Sequence, residues 1–415
     1  MTTSIEDLEL PDLASPATFH ESIPHDAFEM LRSHPGLVWH PAEAGTRTGG
    51  FWVVSRYAEV AEILQHPDLY RSGPGPAFPL ANLNGDSPMG KHILFMDPPE
   101  HSRVRRAAAR SFGPRVVAQF ENWIRDVVVE TLDAALAERE FDWVAEVARY
   151  IPARVIASVM GVPREKRDYI VAASEEIFVA QSVDDGGARF AQAFMGVGQF
   201  TFELGQEKLR NPQDDMMTVM AQAHDSGEID LVEYQLYCAS LVVAGFETTH
   251  TTIGHIARLL ATDDRIRSVA DSAITEGRTA QLVDEFLRYI SPAMTFMRTS
   301  SSDHEFRGQP IKENDALMLL FASANRDPAA FENPHEFDPD RTSTAPSPST
   351  GLAGLAFSAG PHRCVGHVLA KLELRILLEE MFSRGVRLEL AGEPGRGWSL
   401  LVNQLLSLPV RVTMD

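Results

Sequence analysis

The chain has 415 residues, of which 44% are hydrophobic and 23% are charged, a balance typical of globular proteins rather than disordered or fibrous ones. Its 58 acidic residues outnumber 37 basic ones, and the net charge of −21 disfavours binding to nucleic acid or to a membrane surface. Two cysteines are too few for a disulfide framework, and no signal peptide is evident, so we expect a cytoplasmic protein. No repeat or linker divides the sequence, which predicts one domain over residues 1–415.

The first elements in chain order are short. Apolar and β-branched residues predict a strand at 51–54, and helical spacing predicts a helix at 57–65. Four Gly and four Pro make 71–90 an irregular loop. From about 99 to 281 the pattern is mostly helical and includes one long helix at 230–260, which is apolar on several faces and is therefore expected to pass through the interior.

Short strands return in the last third of the chain, at 305–306, 309–311 and 316–322. An irregular, Pro-rich stretch at 327–348 follows. A helix is predicted at about 364–384, where apolar residues form one stripe and a glycine follows the last turn. The predicted fold class is therefore mainly α with a minor β region.

Cys364 stands at the start of this last helix, where unpaired backbone N–H groups and the helix dipole favour a thiolate. A small buried hydrophobic residue is a better description of Cys238, which lies within the long apolar helix. For Cys364 a nucleophilic pair with His362 or His367 is an alternative, whereas a structural zinc site would need more clustered ligands. The remaining hypothesis is a thiolate ligand to a single buried iron.

The residues around this cysteine, Phe357-x-x-Gly360-x-His362-x-Cys364-x-Gly366, resemble the haem-ligand signature of the cytochromes P450. The resemblance implies a P450 fold, with haem between a long central helix and a helix preceded by the cysteine loop, and Cys364 as axial ligand of the iron. It also implies that Phe357 and Gly366 border the haem. Because no Cys-x-x-Cys-His occurs, we expect haem b bound without covalent attachment.

Three further motifs support the resemblance. Glu285 and Arg288 have the spacing of the family's Glu-x-x-Arg element, although alone they would suggest only a surface ion pair. In the family an arginine from the irregular stretch joins this pair, and Arg341 is the expected residue here. The resemblance implies a structural role for all three.

The second motif, Ala244-Gly245-Phe246-Glu247-Thr248-Thr249, lies in the middle of the long helix. The Thr248 hydroxyl is expected to bond back to the carbonyl of Ala244, which would open the helix next to the haem. A solvated bend is the alternative interpretation of these polar residues. The resemblance implies that Glu247 and Thr248 are catalytic and deliver protons for oxygen activation.

The third motif begins at Asp97-Pro98-Pro99-Glu100 and places His101 and Arg105 on one helix face. The resemblance implies that these two residues, together with Arg298 and His362, hold the haem propionates. A second set of cations is interpreted as a docking patch for an acidic electron-transfer protein, with a solvated charged helix as the alternative: Arg103, Arg106, Arg110, Arg363 and Lys371.

The resemblance therefore implies a soluble, bacterial-type monooxygenase that inserts one oxygen atom from O₂ into a C–H bond. No second redox module is evident, so electrons are expected from a separate ferredoxin and ferredoxin reductase that use NAD(P)H. The expected substrate is an apolar small molecule, with a preference for a steroid or terpenoid. The predicted pocket residues are Phe78, Leu80, Leu83, Met89, Val243, Phe246, Ala293, Met294, Thr295, Phe296, Leu401 and Val402.

Several alternatives remain open from sequence. Fatty acids, aromatic compounds and polyketide-like natural products are other substrate classes for the same enzyme. A P450 driven by peroxide would need no redox partner, although the Glu247–Thr248 pair disfavours it. A haem-binding sensor without turnover would need Cys364 but not the acid–alcohol pair.

Overall fold

The computed structural model describes residues 3–180, 187–341 and 352–414, apart from the side chains of Ala108, Arg110 and residues 178–180. Most of these residues are helical. The α-helices are α1 (Ala17–His20), α2 (His25–Ser33), α3 (Tyr57–Gln65), α4 (Glu100–Ala109), α5 (Pro114–Ala118), α6 (Glu121–Ala135), α7 (Tyr150–Val159), α8 (Arg167–Ala180), α9 (Ala188–Arg210), α10 (Met216–Asp225), α11 (Leu231–Thr262), α12 (Asp264–Thr275), α13 (Thr279–Ile290), α14 (Phe321–Ala324) and α15 (His367–Ser383).

The strands are short and belong to several small sheets, so the mainly α fold class with a minor β region is confirmed. They are β1 (Val38–Pro41), β2 (Gly50–Val54), β3 (Tyr70–Arg71), β4 (Glu140–Asp142), β5 (Thr295–Ser300), β6 (His304–Phe306), β7 (Gln309–Ile311), β8 (Ala316–Leu320), β9 (Val386–Leu390), β10 (Gly395–Arg396), β11 (Leu405–Ser407) and β12 (Pro409–Met414).

Helix α11 is the central element of the fold. Asp230 and Glu233 form a capping box that satisfies backbone N–H groups at its first turn. Most of its residues are buried against neighbouring helices, among them α9 and α7. The long interior helix predicted at 230–260 is therefore confirmed. None of the described helices combines the length and apolar composition that a membrane-spanning segment requires.

The largest sheet has the order β1-β2-β8-β5-β3, in which only the β2–β8 pair is parallel. The strand predicted at 316–322 ends at Leu320, because the next residues form the short helix α14. β6 and β7 are joined by a tight turn, in which Arg307 and Gly308 both have positive φ. The sequence analysis did not predict β9 or β12, which pair with each other and bring the end of the chain against β4.

A buried ion cluster connects α13 to the segment after α14. Arg288 has no exposed surface and makes two hydrogen bonds to Glu285, at 2.8 and 2.7 Å. Arg288 also donates to the carbonyls of Asn325 and Pro334, and Arg341 approaches Glu285 at 3.4 Å. The three residues of the family motif are therefore in contact as expected. From residue 342 onward, the stretch predicted to be irregular lies outside the described residues.

We predict that Glu285→Gln lowers the free energy of unfolding by about 3–5 kcal/mol, because it leaves two buried guanidinium groups without their carboxylate. Denaturant unfolding followed by circular dichroism measures this change. The matched control is Arg411→Gln, which removes the exposed ion pair with Glu140 and should cost less than about 1 kcal/mol. Equal effects of the two substitutions would contradict the structural role of the cluster.

Candidate active site

A cavity lies between α11 and the loop that precedes α15. Ala244 and Thr248 line it from α11, and Phe357, Cys364 and Gly366 line it from the opposite side. Cys364 lies deep in the protein, and its side chain is accessible because it borders this cavity. The cavity therefore brings together residues that are more than a hundred positions apart in sequence.

The cysteine loop has a defined backbone geometry. The N–H of Cys364 donates to the carbonyl of Phe357 at 2.9 Å, and α15 begins three residues after Cys364. Burial raises the pKa of the Cys364 thiol, whereas the Gly366 N–H and the charges of Arg105 and Arg363 act in the opposite direction. A cation bound in the cavity would shift the balance towards thiolate.

Neither nearby histidine is arranged as a base for a nucleophilic cysteine. His367 Nδ1 lies 2.9 Å from the carbonyl oxygen of Cys364, and His362 Nε2 lies 3.2 Å from the Ser72 hydroxyl. The described residues also contain no group of three or more His, Cys, Asp or Glu that could hold a metal ion. The geometry thus favours a thiolate that binds a cofactor in the cavity.

Gly360 and Gly366 serve different purposes. A Cβ on Gly360, which has φ of +67°, would lie 2.0 Å from the carbonyl oxygen of Leu64, so a side chain there would displace α3. A Cβ on Gly366 would meet no atom within 4 Å, because it would project into open space. Since Gly366 lines the cavity, this open space is room for a bound group.

One end of the cavity is basic. The centroids of the imidazole rings of His101 and His362 lie 4.0 Å apart, and Arg105 joins them in the lining. Arg298 lies outside the described lining, although its charge affects the pKa of His101. Burial, with the charges of Arg105 and Arg298, lowers the pKa of His101 to about 4, and burial lowers that of Arg298 to about 10.

The protein compensates only part of this basic set: Arg105 donates to the carbonyl of Arg363, and Arg298 donates to that of Met297. Both ring nitrogens of His101 are buried without a partner among the described residues. The carboxylate of Asp97 affects the pKa of Arg298 but accepts hydrogen bonds from the backbone of Ser72 and Gly73. The set fits the carboxylates of a bound group. With the thiol and the space at Gly366, it fits haem.

The comparisons with known proteins agree with this geometry. The family model described as Cytochrome P450 matches residues 176–385. The chain is 32% identical over 405 residues to a protein of Mycobacterium tuberculosis named as cytochrome P450 126, in an alignment that covers 92% of each. The chain belongs to the cytochrome P450 family. It is accordingly a P450 monooxygenase, an oxidoreductase with a haem-iron cofactor that uses O₂, an organic substrate and redox partners.

Other relatives carry more specific names. A steroid C26-monooxygenase of Mycolicibacterium smegmatis is 27% identical over 91% of this chain and 88% of that protein. Cytochrome P450-terp of a Pseudomonas species is 28% identical over 95% of this chain and 94% of that protein. Among solved structures, CYP108D1 of Novosphingobium aromaticivorans has a TM-score of 0.84 and 29% identity, with complete coverage of both chains. The P450 fold predicted from the cysteine loop is thus confirmed.

The side chains of Glu247 and Thr248 in the α11 motif point in different directions. The Thr248 hydroxyl lines the cavity and donates to the carbonyl of Ala244 at 3.1 Å, as expected from sequence. Glu247 is buried, and its Oε1 accepts a hydrogen bond of 2.8 Å from Gln404. Sequence reasoning missed Gln404, because no local pattern identifies a contact between residues 157 positions apart.

His250 and His255 of this P450 helix both reach the segment that contains Gln404. His250 Nε2 lies 3.2 Å from the carbonyl oxygen of Leu405, and His255 Nε2 lies 2.9 Å from that of Asn403. The two rings are buried and have structural contacts. They hold the segment 403–405 against α11.

The predicted pocket residues divide into two groups. Ala293 and Phe296 line the cavity, whereas Phe246 packs against Ala153 and is stacked on His250. The prediction that Phe246 faces the substrate is wrong, because two residues along a helix correspond to a rotation of about 200°, which places Phe246 on the face opposite Thr248. The others lie outside the cavity lining that the structure describes, and many of them pack in the surrounding core: Phe78, Leu80, Leu83, Met89, Val243, Met294, Thr295, Leu401 and Val402.

Several residues that line the cavity were missed by sequence reasoning. Tyr237, Ser240 and Leu241 lie on α11 before the motif, and Ile93 and Leu94 lie on a loop that gave only a weak pattern. A helix that is apolar on several faces does not reveal which face borders a cavity, so no sequence signal distinguished the three α11 residues.

Glu373 of α15 also lines the cavity and was missed. Burial raises its pKa well above the ordinary range and thus favours the neutral form of this carboxyl group. The helix that carries Glu373 was predicted, but the pattern of an amphipathic helix predicts that a single glutamate faces solvent.

The predicted basic patch needs correction. Arg103 forms an ion pair with the buried Glu233 of α11 and donates to the carbonyl of Glu228, so it belongs to a structural contact. Lys371 pairs with Asp284 at 2.5 Å. Arg106 is exposed and Arg363 is partly exposed. The side chain of Arg110, the remaining member of the patch, lies outside the described residues.

We predict opposite behaviour for two glycine variants of this P450. Gly366→Val should lower the free energy of unfolding of the haem-free protein by about 1 kcal/mol, the cost of a poorer capping residue at α15, but abolish haem uptake, because the new side chain fills open space. Gly360→Ala should destabilise the fold by more than about 2 kcal/mol, since it combines strain at positive φ with a clash. Soret absorbance per mole of protein and thermal unfolding measure the two effects. Full haem content in Gly366→Val would contradict this placement of the cofactor.

Proposed function

We propose that this P450 binds haem b through Cys364 and hydroxylates an apolar small molecule. The observation that supports the proposal most directly is the placement of the Cys364 thiol opposite Thr248 across a cavity whose one end is basic. When bound, the haem iron supplies the activation of O₂ and the transfer of one oxygen atom to a C–H bond. The protein residues bind and orient the cofactor, exclude water and move protons.

The basic end of the cavity orients the cofactor in this proposal. His101, Arg105, Arg298 and His362 bind the two propionates, and Phe357 and Gly366 border the ring on the cysteine side. Buried guanidinium and imidazole groups form strong hydrogen bonds to carboxylates because water does not compete. His101, whose ring nitrogens have no partner among the described residues, would donate its ring N–H to a propionate oxygen.

Thr248 and Glu247 move protons in the proposed mechanism. The Thr248 Oγ1 holds a proton at the cavity wall, where its bond to the Ala244 carbonyl fixes the direction of the hydroxyl. Glu247 supplies protons from the buried side of α11. The Gln404 amide holds the Glu247 carboxylate by a hydrogen bond, which must break before Glu247 can turn towards the cavity. Heterolytic cleavage of the O–O bond takes up two protons. A relay of side chains can deliver them in a site that otherwise excludes water.

The substrate is proposed to be a steroid or terpenoid. The described lining near Thr248 is largely apolar and includes Leu241, Ala293 and Phe296, so shape and burial would select the ligand. Relatives named steroid C26-monooxygenase and cytochrome P450-terp support this choice. Fatty acids, aromatic compounds and polyketide-like molecules are the alternatives within the same chemistry.

Electrons are proposed to arrive from NAD(P)H through a ferredoxin reductase and a ferredoxin. Arg106 is exposed on α4, and the partly exposed Arg363 borders the cavity next to Cys364, on a protein whose net charge is −21. An acidic partner would be steered to them, and the association would weaken as salt increases.

We predict that Cys364→Ser removes the long-wavelength Soret band of the dithionite-reduced, carbon monoxide-bound protein. This band arises from a thiolate ligand, so the serine variant should show the shorter-wavelength band of haem without thiolate or no bound haem. Cys238→Ser is the matched control, because that buried thiol lies outside the described cavity lining and should leave the band unchanged. Retention of the long-wavelength band in Cys364→Ser would refute the assigned ligand.

We predict that Thr248→Val lowers product formed per NADH consumed by roughly tenfold or more while ferric substrate binding is retained, because the proton-holding hydroxyl is lost. The assay uses a surrogate ferredoxin and reductase, with an apolar substrate chosen by its ferric spectral shift. Thr251→Val is the control on the same helix, since that buried hydroxyl has no partner among the described residues and lies outside the cavity lining. Unchanged coupling in Thr248→Val would exclude the proposed role, and absence of turnover in every form would favour a haem sensor.

A further inference from the structure

His92 lies where its own loop meets α9 and α11. It separates two 3₁₀ turns, Pro88–Lys91 and Ile93–Phe95, and it is the capping residue of both. Its ring is stacked on Phe194 of α9, with centroids 5.9 Å apart, and it contacts Phe95 edge-on. The side chain is nearly completely buried although it belongs to a loop.

The hydrogen bonds of His92 fix its protonation state. The backbone N–H of Leu94 donates to Nδ1 at 3.2 Å, so Nδ1 must carry a lone pair. The proton is then on Nε2, which lies 2.7 Å from the Ser240 hydroxyl of α11. The Ser240 hydroxyl donates in turn to the carbonyl of Leu236. His92 and Ser240 therefore each accept one hydrogen bond and donate another.

Burial reinforces this arrangement. It lowers the pKa of His92 to about 4, so the ring is neutral at physiological pH and can act as acceptor at Nδ1 and donor at Nε2 together. The next residue, Lys91, forms an exposed ion pair with Asp230 at the start of α11. The loop thus has one buried and one exposed attachment to the same helix.

The attached loop borders the cavity. Ile93 and Leu94, the two residues that follow His92, line it, and Ser240 lines it from α11. Displacing the loop would therefore separate Ile93 and Leu94 from Ser240 and Tyr237 and open the cavity at this edge.

We propose that the His92–Ser240 hydrogen bond is a latch that holds residues 88–95 against α11 and thereby sets the rate at which a substrate enters and leaves the active site. The inference rests on the proposed function in one respect, namely that an apolar substrate binds in the cavity. His92 is a positioning residue, since it does not line the cavity. Ser240 contributes both to the latch and to the cavity wall.

The test uses His92→Phe, which preserves an aromatic ring beside Phe194, and Ser240→Ala, which removes one hydroxyl. Stopped-flow absorbance with 4-phenylimidazole on the haem-loaded protein gives the association and dissociation rate constants. Each variant should increase both constants by roughly three- to tenfold, the range expected for one lost hydrogen bond, with a smaller change in the equilibrium constant. The double variant should equal the single variants, because both remove the same bond.

Hydrogen exchange supplies a readout that does not depend on haem or turnover. Amides of residues 86–96 should exchange faster in both variants, whereas those of the segment 403–405 should not change. Lys91→Met is the matched control, whose effect should be small and should vanish at high salt. Unaltered exchange in residues 86–96 of Ser240→Ala would overturn the latch even if the protein is a monooxygenase. Faster exchange in residues 86–96 without a spectral response to 4-phenylimidazole would support the latch and contradict the proposed function.

Discussion

A polar atom that is buried on α11 needs a hydrogen-bond partner, and several of these partners come from distant parts of the chain. Ser240 meets His92 from a loop near the start, and Glu247 meets Gln404 near the end. His255 reaches the carbonyl of Asn403 in that same end segment. The central helix therefore does more than fill the core, because its polar side chains determine where the two segments lie around the cavity.

Thr248 satisfies this requirement in a different way. Its hydroxyl donates to the carbonyl of Ala244 within the same helix, and the side chain faces the cavity rather than a remote segment. A hydroxyl that needs no tertiary partner retains acceptor capacity for a molecule in the cavity. The neighbouring Glu247 is fixed by Gln404 on the other side of the helix. Two adjacent positions of α11 thus hold an immobilised acid and an accessible alcohol, which lie about 100° apart around the helix.

The sequence predicted the parts of this protein that depend on local patterns. The period of apolar residues located α3 and α11, and the spacing of the cysteine loop and of Glu285 and Arg288 identified the family before any contact was known. Pairing between distant segments could not be predicted. Arg103 has the spacing of a surface cation, and only tertiary packing brings it to the buried carboxylate of Glu233. Similarly, the helical period of α11 did not show that Phe246 turns away from the cavity, because the helix is apolar on several faces.

The basic end of the cavity links cofactor binding to the stability of the fold. Burial disfavours the charged form of His101 and of Arg298, and the nearest acid, Asp97, is held by backbone N–H groups. Without an anionic partner these groups lower the stability of the folded chain, since their desolvation is poorly compensated. A ligand that binds only the folded state and brings two carboxylates removes this cost and stabilises the fold by mass action. The same residues therefore select the cofactor and make the stability of the fold depend on it.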